Sequence, residues 1–178
     1  MTDIYLLKTE EKGSPAARRL LRMALKEGGL SGGALSCGPY GKPLLSPGPH
    51  IGISHRRGAV AVAVGDMPIG LDLERLRDFD ARLPARIFSK GEMEYFHASG
   101  ASREAFFTLW TLKESYYKFT GRGLPGFPNG TDFYMAGEGK WRLPYRGCPF
   151  TVLRKEDLLI ALCGDEQEKV RLHFLSSP

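Results

Sequence analysis

The stretch Trp110-Thr111-Leu112-Lys113-Glu114-Ser115-Tyr116-Tyr117-Lys118 decides how this chain is read. It lies in a run from Ser102 to Thr120 with helix signals at both ends. Ser102 stands where an N-cap belongs, Glu104 falls in the first turn, and Gly121 closes the run as a C-cap. Phe106, Leu109, Trp110, Tyr117 and Phe119 supply apolar surface, though not as a clean stripe. Glu114 and Lys118 are four apart, so they share one face, a turn from each other, with Trp110 a turn before. Taken alone, such a pair is an ordinary surface salt bridge.

A second acidic pair upstream changes its meaning. Ile69-Gly70-Leu71-Asp72-Leu73-Glu74 alternates strictly, so Ile69, Leu71 and Leu73 point one way and Gly70, Asp72 and Glu74 the other. The spacing predicts a strand that projects two carboxylates from one face. If that face is concave or buried, the charges repel unless a cation sits between them. Oxygen donors without Cys or His select Mg²⁺ or Mn²⁺ over zinc. The plain alternative is a solvent-facing edge strand.

Outward from these two elements, Asp3 to Lys8 reads as an opening strand. Ser14-Pro15 starts a helix that runs to about Glu27, with Ser14 as its cap and Gly28-Gly29 as its stop. Ala17, Leu20, Leu21, Ala24 and Leu25 form its apolar side and Arg18, Arg19 and Arg22 its basic one. Residues 28–50 are dense in glycine and proline and read as loop, with a turn at Pro39-Tyr40-Gly41-Lys42-Pro43. Ile51 to His55 and Ala59 to Val64 read as a hairpin turning at Arg56-Arg57-Gly58. Two short helices are expected between Phe79 and Phe96, the second capped by Ser89. Arg122 to Gly126 should be loop. Strand-like runs follow at Thr131–Met135, Cys148–Leu153, Leu158–Leu162 and Val170–Leu175. Strands and helices mix without βαβ alternation, which gives an α+β class with a mainly antiparallel sheet.

Composition narrows the function. The 178 residues, 42% of them hydrophobic, suffice for a proper core. Three cysteines without CxxC spacing suit a reducing compartment and argue against a zinc site. No apolar run resembles a signal peptide or approaches the ~20 residues of a membrane span, so a cytoplasmic protein without membrane contact is expected. The net charge of +5 asks for an anionic partner. Its basic residues are scattered and form no nucleic-acid module, so a phosphorylated small molecule or an acidic protein fits as well.

The motifs gain specificity in combination: Tyr-Gly-Lys-Pro at 40–43, Ser-His at 54–55, Gly-Leu-Asp-Leu-Glu at 70–74, Phe-Ser-Lys-x-Glu at 88–92 and Trp-x-x-Lys-Glu-Ser-x-x-Lys at 110–118. In this order and spacing the chain closely resembles the 4′-phosphopantetheinyl transferase superfamily, in particular its surfactin-synthetase-activating type, over roughly residues 15–125. The resemblance implies a pseudo-dimer of two similar α+β halves, here approximately 1–66 and 67–178 of one transferase unit that works as a monomer. It implies transfer of the phosphopantetheine group of coenzyme A to a serine of an acyl or peptidyl carrier protein, dependent on Mg²⁺ or Mn²⁺. Asp72, Glu74 and Glu114 would hold the metal against the pyrophosphate. Lys118 would contact the same phosphates, and Glu114 would take the serine proton. Tyr40, Gly41, Lys42 and Pro43 would border the adenosine. Ser54, His55 and an arginine of the first helix, Arg18 on the best alignment, would bind the 3′-phosphate. Trp110 is expected to hold the helix in the core.

The chain departs from the pattern in one respect: little stands between the opening strand and the arginine helix, and basic residues there reduce to Lys8 and Lys12. The rival reading is a basic module that binds nucleic acid or another acidic partner without catalysis. Two carboxylates facing one way oppose phosphate binding unless a metal intervenes, which favours the transferase.

Overall fold

Period-two alternation of apolar residues, rather than any one strong segment, sorts this chain into layers. The computed structural model describes residues 1–11, 13–30, 33–122, 131–136, 140–143, 146–165 and 169–176. In chain order it begins with β1 (Thr2–Lys8), α1 (Ser14–Glu27), β2 (Ala34–Cys37), β3 (Pro43–Ser46), β4 (His50–Arg56), β5 (Ala59–Gly65) and β6 (Gly70–Arg75). Then come α2 (Leu83–Ile87), α3 (Lys90–Ala98), α4 (Arg103–Thr120), β7 (Tyr134–Ala136), β8 (Lys140–Leu143), β9 (Arg146–Lys155), β10 (Leu158–Cys163) and β11 (Val170–Ser176).

Two sheets stack between helices. The first has the order β11-β1-β5-β4 and the second β6-β10-β9-β8-β7. Tyr5, Leu7, Val60 and Val62 face α1, which buries Ala16, Ala17, Leu20, Leu21 and Ala24 against them. The alternate residues Ile4, Leu6, Ala61 and Ala63 face the second sheet's Leu71, Leu73, Ile160 and Leu162. The other side of that second sheet, with Phe150, Leu159 and Ala161, packs on α4. The fold is therefore α+β with antiparallel pairing, apart from β1 with β11, which run parallel. The connection from β5 to β6 contains Asp66–Pro68, the expected point of division, while β11 carries the chain back onto the first sheet. Among the described residues no helix is long and apolar enough to cross a membrane.

Three details differ from the sequence expectations. Gly13, not Ser14, is the N-cap of α1; its φ of 61° is open to glycine, and no side chain caps that end. The stretch expected as loop over 28–50 contains the β2–β3 hairpin and the start of β4. Strand β8 was not anticipated, because only Trp141 and Leu143 alternate within its charged sequence. The expected loop at Arg122–Gly126 lies outside the described residues beyond Arg122.

The caps of α4 follow the expectation. The Ser102 hydroxyl accepts from Ala105 N, and Gly121 takes the left-handed conformation at φ 64°. The buried side differs from the expected one: Phe106, Phe107, Leu109, Leu112 and Tyr116 are buried, whereas Trp110 and Phe119 are half-buried. Helix α4 lies close on β6 because Gly70 has no side chain. A Cβ there would collide with the Ser115 carbonyl and the Phe119 backbone.

Candidate active site

The site lies where the edge strands of the two sheets, β4 and β6, come side by side under α4. Gly52 makes that approach possible, since a Cβ at 52 would stand 2.8 Å from Leu71 Cβ. Ser54 ties the two edges together. Its hydroxyl accepts from Leu73 N at 3.1 Å and donates to Asp72 Oδ1 at 3.0 Å. One side-chain oxygen thus satisfies a backbone N–H that the sheet edge leaves without a ladder partner.

Alternation along β6 places Asp72 and Glu74 on the α4 side, and both are fully buried. Lys118 reaches down from α4 to Asp72 Oδ1 at 2.6 Å and to Ser54 Oγ at 3.2 Å. The other carboxylate oxygen, Asp72 Oδ2, is buried without a hydrogen-bond partner among the described residues. A native structure rarely leaves a buried carboxylate oxygen in that condition. Burial raises the Asp72 carboxyl above its ordinary range, against the lowering influence of Lys118. Glu114, one turn before Lys118, is raised as well, by burial first and then by the charge of Asp72.

Glu74 is treated differently. Trp110 Nε1 donates to its Oε1 at 2.9 Å, Arg56 bonds the same oxygen, and Arg77 donates to Oε2 at 2.9 Å. Burial works to raise this carboxyl, but the bonds from Arg56 and Arg77 outweigh it and hold it below the usual range. Trp110 therefore does more than fill the core: its indole N–H anchors the acidic strand.

Above this network opens a cleft of about 260 Å³, bordered by Tyr40, Lys42, Gly70, Glu114 and Lys118. The Pro39–Gly41 turn forms its lip, with Tyr40 in a left-handed conformation (φ 56°) and 79% exposed. Gly41 and Pro43 complete that lip. Lys42 Nζ donates to the Phe119 carbonyl at 2.8 Å, so it satisfies a carbonyl at the C-terminus of α4 while facing the cleft. Burial lowers its ammonium below the ordinary lysine value.

The residues expected at a 3′-phosphate do not gather in one place. Ser54 is buried beneath Lys118, whereas His55 is exposed and lines a separate cavity with Gly13, Arg56 and Arg57. Arg18 is exposed on α1 and lines neither cavity. Neighbouring Arg19 pairs with Glu11 at 2.9 Å.

A further buried pair was not anticipated. Lys113 and Glu92, both fully buried, meet at 2.7 Å from Nζ to Oε2. Glu92 also accepts from Ser89 N at 2.8 Å and Phe133 N at 3.0 Å, and Lys113 donates to Thr131 Oγ1 at 2.6 Å. This links the capping box of α3 to α4. The signal was present: Lys113 falls between Leu109, Leu112 and Tyr116 on the apolar side, where a lysine requires a buried acid.

A known family matches this part of the chain. The family model described as the 4′-phosphopantetheinyl transferase superfamily matches residues 68–163, a span that contains the acidic strand, the capping box and α4. The chain belongs to this superfamily. Among similar transferases, the 4′-phosphopantetheinyl transferase gsp of Aneurinibacillus migulanus is 34% identical over 87 residues, 48% of this chain and 37% of that protein. The 4′-phosphopantetheinyl transferase psf-1 of Bacillus pumilus is 33% identical over 121 residues, 63% of this chain and 51% of that protein. The chain thus spans about half the length of these transferases or less. A solved structure of the Thermotoga maritima holo-[acyl-carrier-protein] synthase aligns with a TM-score of 0.48 at 21% identity, over 55% of this chain and 62% of that one.

Chemically, the arrangement combines oxygen donors with an adjacent ammonium at the rim of a cleft. Among the described residues no group of three His, Cys, Asp or Glu side chains stands close enough together to hold a metal as it is. The unpartnered Asp72 Oδ2 and the neighbouring Glu114 nevertheless fit a hard divalent cation, because one buried carboxylate oxygen is left without a partner and burial and the charge of Asp72 both raise the Glu114 carboxyl beside it.

Proposed function

We propose that this chain transfers the 4′-phosphopantetheine group of coenzyme A to a serine of an apo acyl or peptidyl carrier protein, leaving adenosine 3′,5′-bisphosphate. The observation that carries the reading is the Asp72 carboxylate: one oxygen held by Lys118, the other buried and unpartnered, beside Glu114 at the cleft. Family membership supports the reaction class.

In this reading Asp72, Glu74 and Glu114 would hold Mg²⁺ (or Mn²⁺). Such a cation supplies positive charge to the pyrophosphate oxygens as the bond to the leaving group breaks. The chain's own groups do the rest. Lys118 is positioned by Asp72 and Ser54 to offer its ammonium to the same phosphates. Glu114, made more basic than an ordinary carboxylate by burial and by Asp72, accepts the proton of the carrier serine as its oxygen attacks the β-phosphorus. The lip formed by Tyr40, Gly41, Lys42 and Pro43 receives the adenosine portion, and the exposed ring of His55 meets the 3′-phosphate. The net charge of +5 favours approach of a polyanionic nucleotide and an acidic carrier.

The test is intact-mass spectrometry of an apo carrier protein incubated with this chain, coenzyme A and Mg²⁺, with an EDTA control. A metal-dependent gain of the phosphopantetheine mass is expected. Absence of any gain across acyl and peptidyl carriers, together with absence of coenzyme A binding, overturns the reading.

A further inference from the structure

Outside the cleft, the described residues hold one arrangement of nucleophiles that the transfer reaction does not use. Cys148 on β9 and Cys163 on β10 place their sulfur atoms 2.7 Å apart. The register puts Cys163 opposite Phe150 on β9, and Gly164 N donates to the Pro149 carbonyl at 3.1 Å. The register therefore sets Cys148 diagonally across the ladder from Cys163, on the same face of the sheet. Two thiol sulfurs at this separation are closer than unbonded sulfur atoms rest, and a covalent S–S bond of about 2.05 Å needs only a small further approach.

We propose that Cys148 and Cys163 form a reversible disulfide by exchange with a low-molecular-weight disulfide such as oxidised glutathione. Accessibility sets the order of events. Cys148 is partly exposed and Cys163 fully buried, so Cys148 meets the oxidant first. The Cys148 thiolate attacks one sulfur of the small disulfide, forming a mixed disulfide and expelling one small thiolate. Cys163 then loses its proton and attacks the Cys148 sulfur, closing the internal bond and expelling the second small thiol. Two protein thiols are oxidised and one small disulfide is reduced to two thiols. The titration directions agree with this order: the contact with Cys163 lowers the Cys148 thiol, whereas burial raises that of Cys163.

The position gives the bond a consequence for the cleft. On its other side Cys163 pairs with Gly70, the residue on which α4 makes its closest approach and which borders the cleft. A covalent tie between β9 and β10 at this point stiffens the floor under Lys118 and Glu114. Cys37, exposed on β2, stands apart and serves as an internal control.

The experiment incubates the full chain with oxidised glutathione and reads intact mass, then maps tryptic peptides without reduction. Arg154 and Lys155 separate the two cysteines into different peptides, so a bond between them appears as a linked pair. Expected, apart from any glutathione carried on Cys37, is a loss of two hydrogens, a linked Cys148–Cys163 peptide, and an unfolding midpoint several degrees higher than that of the reduced chain. C163S should instead retain glutathione on Cys148. C37S should behave as the parent. A glutathione adduct that persists on Cys148 in the parent chain, or a linkage through Cys37 alone, overturns the proposal. So does an unchanged mass after oxidation sufficient to modify Cys37.

Discussion

Lys118 Nζ lies 2.6 Å from Asp72 Oδ1, while Oδ2 of the same buried carboxylate has no hydrogen-bond partner. The carboxylate is thus half-satisfied within the chain and half reserved. Asp72→Asn removes a charge that burial and Glu74 both oppose, at the loss of one charge-assisted bond to Lys118. Cation-free stability should change by no more than about 1–2 kcal/mol. The rise in unfolding midpoint that Mg²⁺ and coenzyme A give together should disappear. Thermal unfolding with and without both ligands checks this; an unaltered midpoint rise in the variant removes Asp72 from the site.

Ser54 and His55 should respond to substitution in opposite ways. Ser54→Ala strands the Leu73 N–H and loosens Lys118 and Asp72, at about 1–3 kcal/mol of stability and roughly tenfold in the transfer rate. His55→Ala, on an exposed side chain, should leave stability within about 0.5 kcal/mol. It should raise KM for coenzyme A but not for the analogue lacking the 3′-phosphate. Urea unfolding and initial rates on both substrates separate the two. Equal effects of the two substitutions would mean that both residues serve one subsite.

That split shows which parts of the site could be read from sequence. The acidic strand and α4 were legible because each carries its own periodicity, and α4 its own caps, and these place Asp72, Glu114 and Lys118 without help from the rest of the chain. Ser54 and His55 are adjacent in the motif, but adjacent strand residues face opposite ways, and the fold buries Ser54 beneath Lys118 while it exposes His55. The spacing of Glu74 from Asp72 shows that the two carboxylates share a strand face, but not that arginines bond Glu74. Its arginines, Arg56 and Arg77, come from a neighbouring strand end and from the chain just beyond β6, and only the fold brings them together. The β2–β3 hairpin escaped notice because four-residue strands among glycines and prolines carry too little alternation to register.

The buried pair of Lys113 and Glu92 predicts strong coupling. Glu92→Gln leaves Lys113 charged in the interior and should cost about 3–5 kcal/mol. Lys113→Met should cost a similar amount by stranding Glu92. The double variant should be more stable than the sum of the two losses allows, since it buries no lone charge. A double-mutant cycle by urea denaturation gives the answer. Strictly additive losses would mean that the two charges do not interact.

Gly70→Ala tests whether α4 owes its seat on β6 to the missing side chain. The added methyl would meet the Ser115 carbonyl and the Phe119 backbone, with Phe119 Cα at 2.8 Å, and the helix backbone, packed against the sheet, cannot retreat cheaply. A loss of about 3 kcal/mol or more is expected, at the upper end for overpacking. Gly100→Ala provides a contrast, because its Cβ meets nothing within 4 Å and only its φ of 70° resists the change. Comparable losses from both substitutions would put the cause in backbone conformation rather than in the contact with α4.

Asp3 carries the clearest pH dependence. Parallel pairing of β1 with β11 sets Asp3 beside Arg171 and His173, whose Nε atoms stand 2.9 Å and 2.7 Å from its Oδ1. Burial works to raise this carboxyl, but the bonds from His173 and Arg171 outweigh it and hold it below the usual range. Its folded pKa is therefore below the unfolded one. The stability it contributes is complete above the ordinary carboxylate value and is lost as pH falls through the lowered folded value. Because Arg171 is largely exposed, the contribution is modest, about 1 kcal/mol at neutral pH. Asp3→Asn should forfeit that amount at pH 7 and nothing at a pH below the folded value, where the parent carboxyl is itself protonated. Urea unfolding of both proteins across the acid range measures the gap, and a gap that stays constant into strong acid would assign the loss to packing at the β1–β11 edge instead of to the charge.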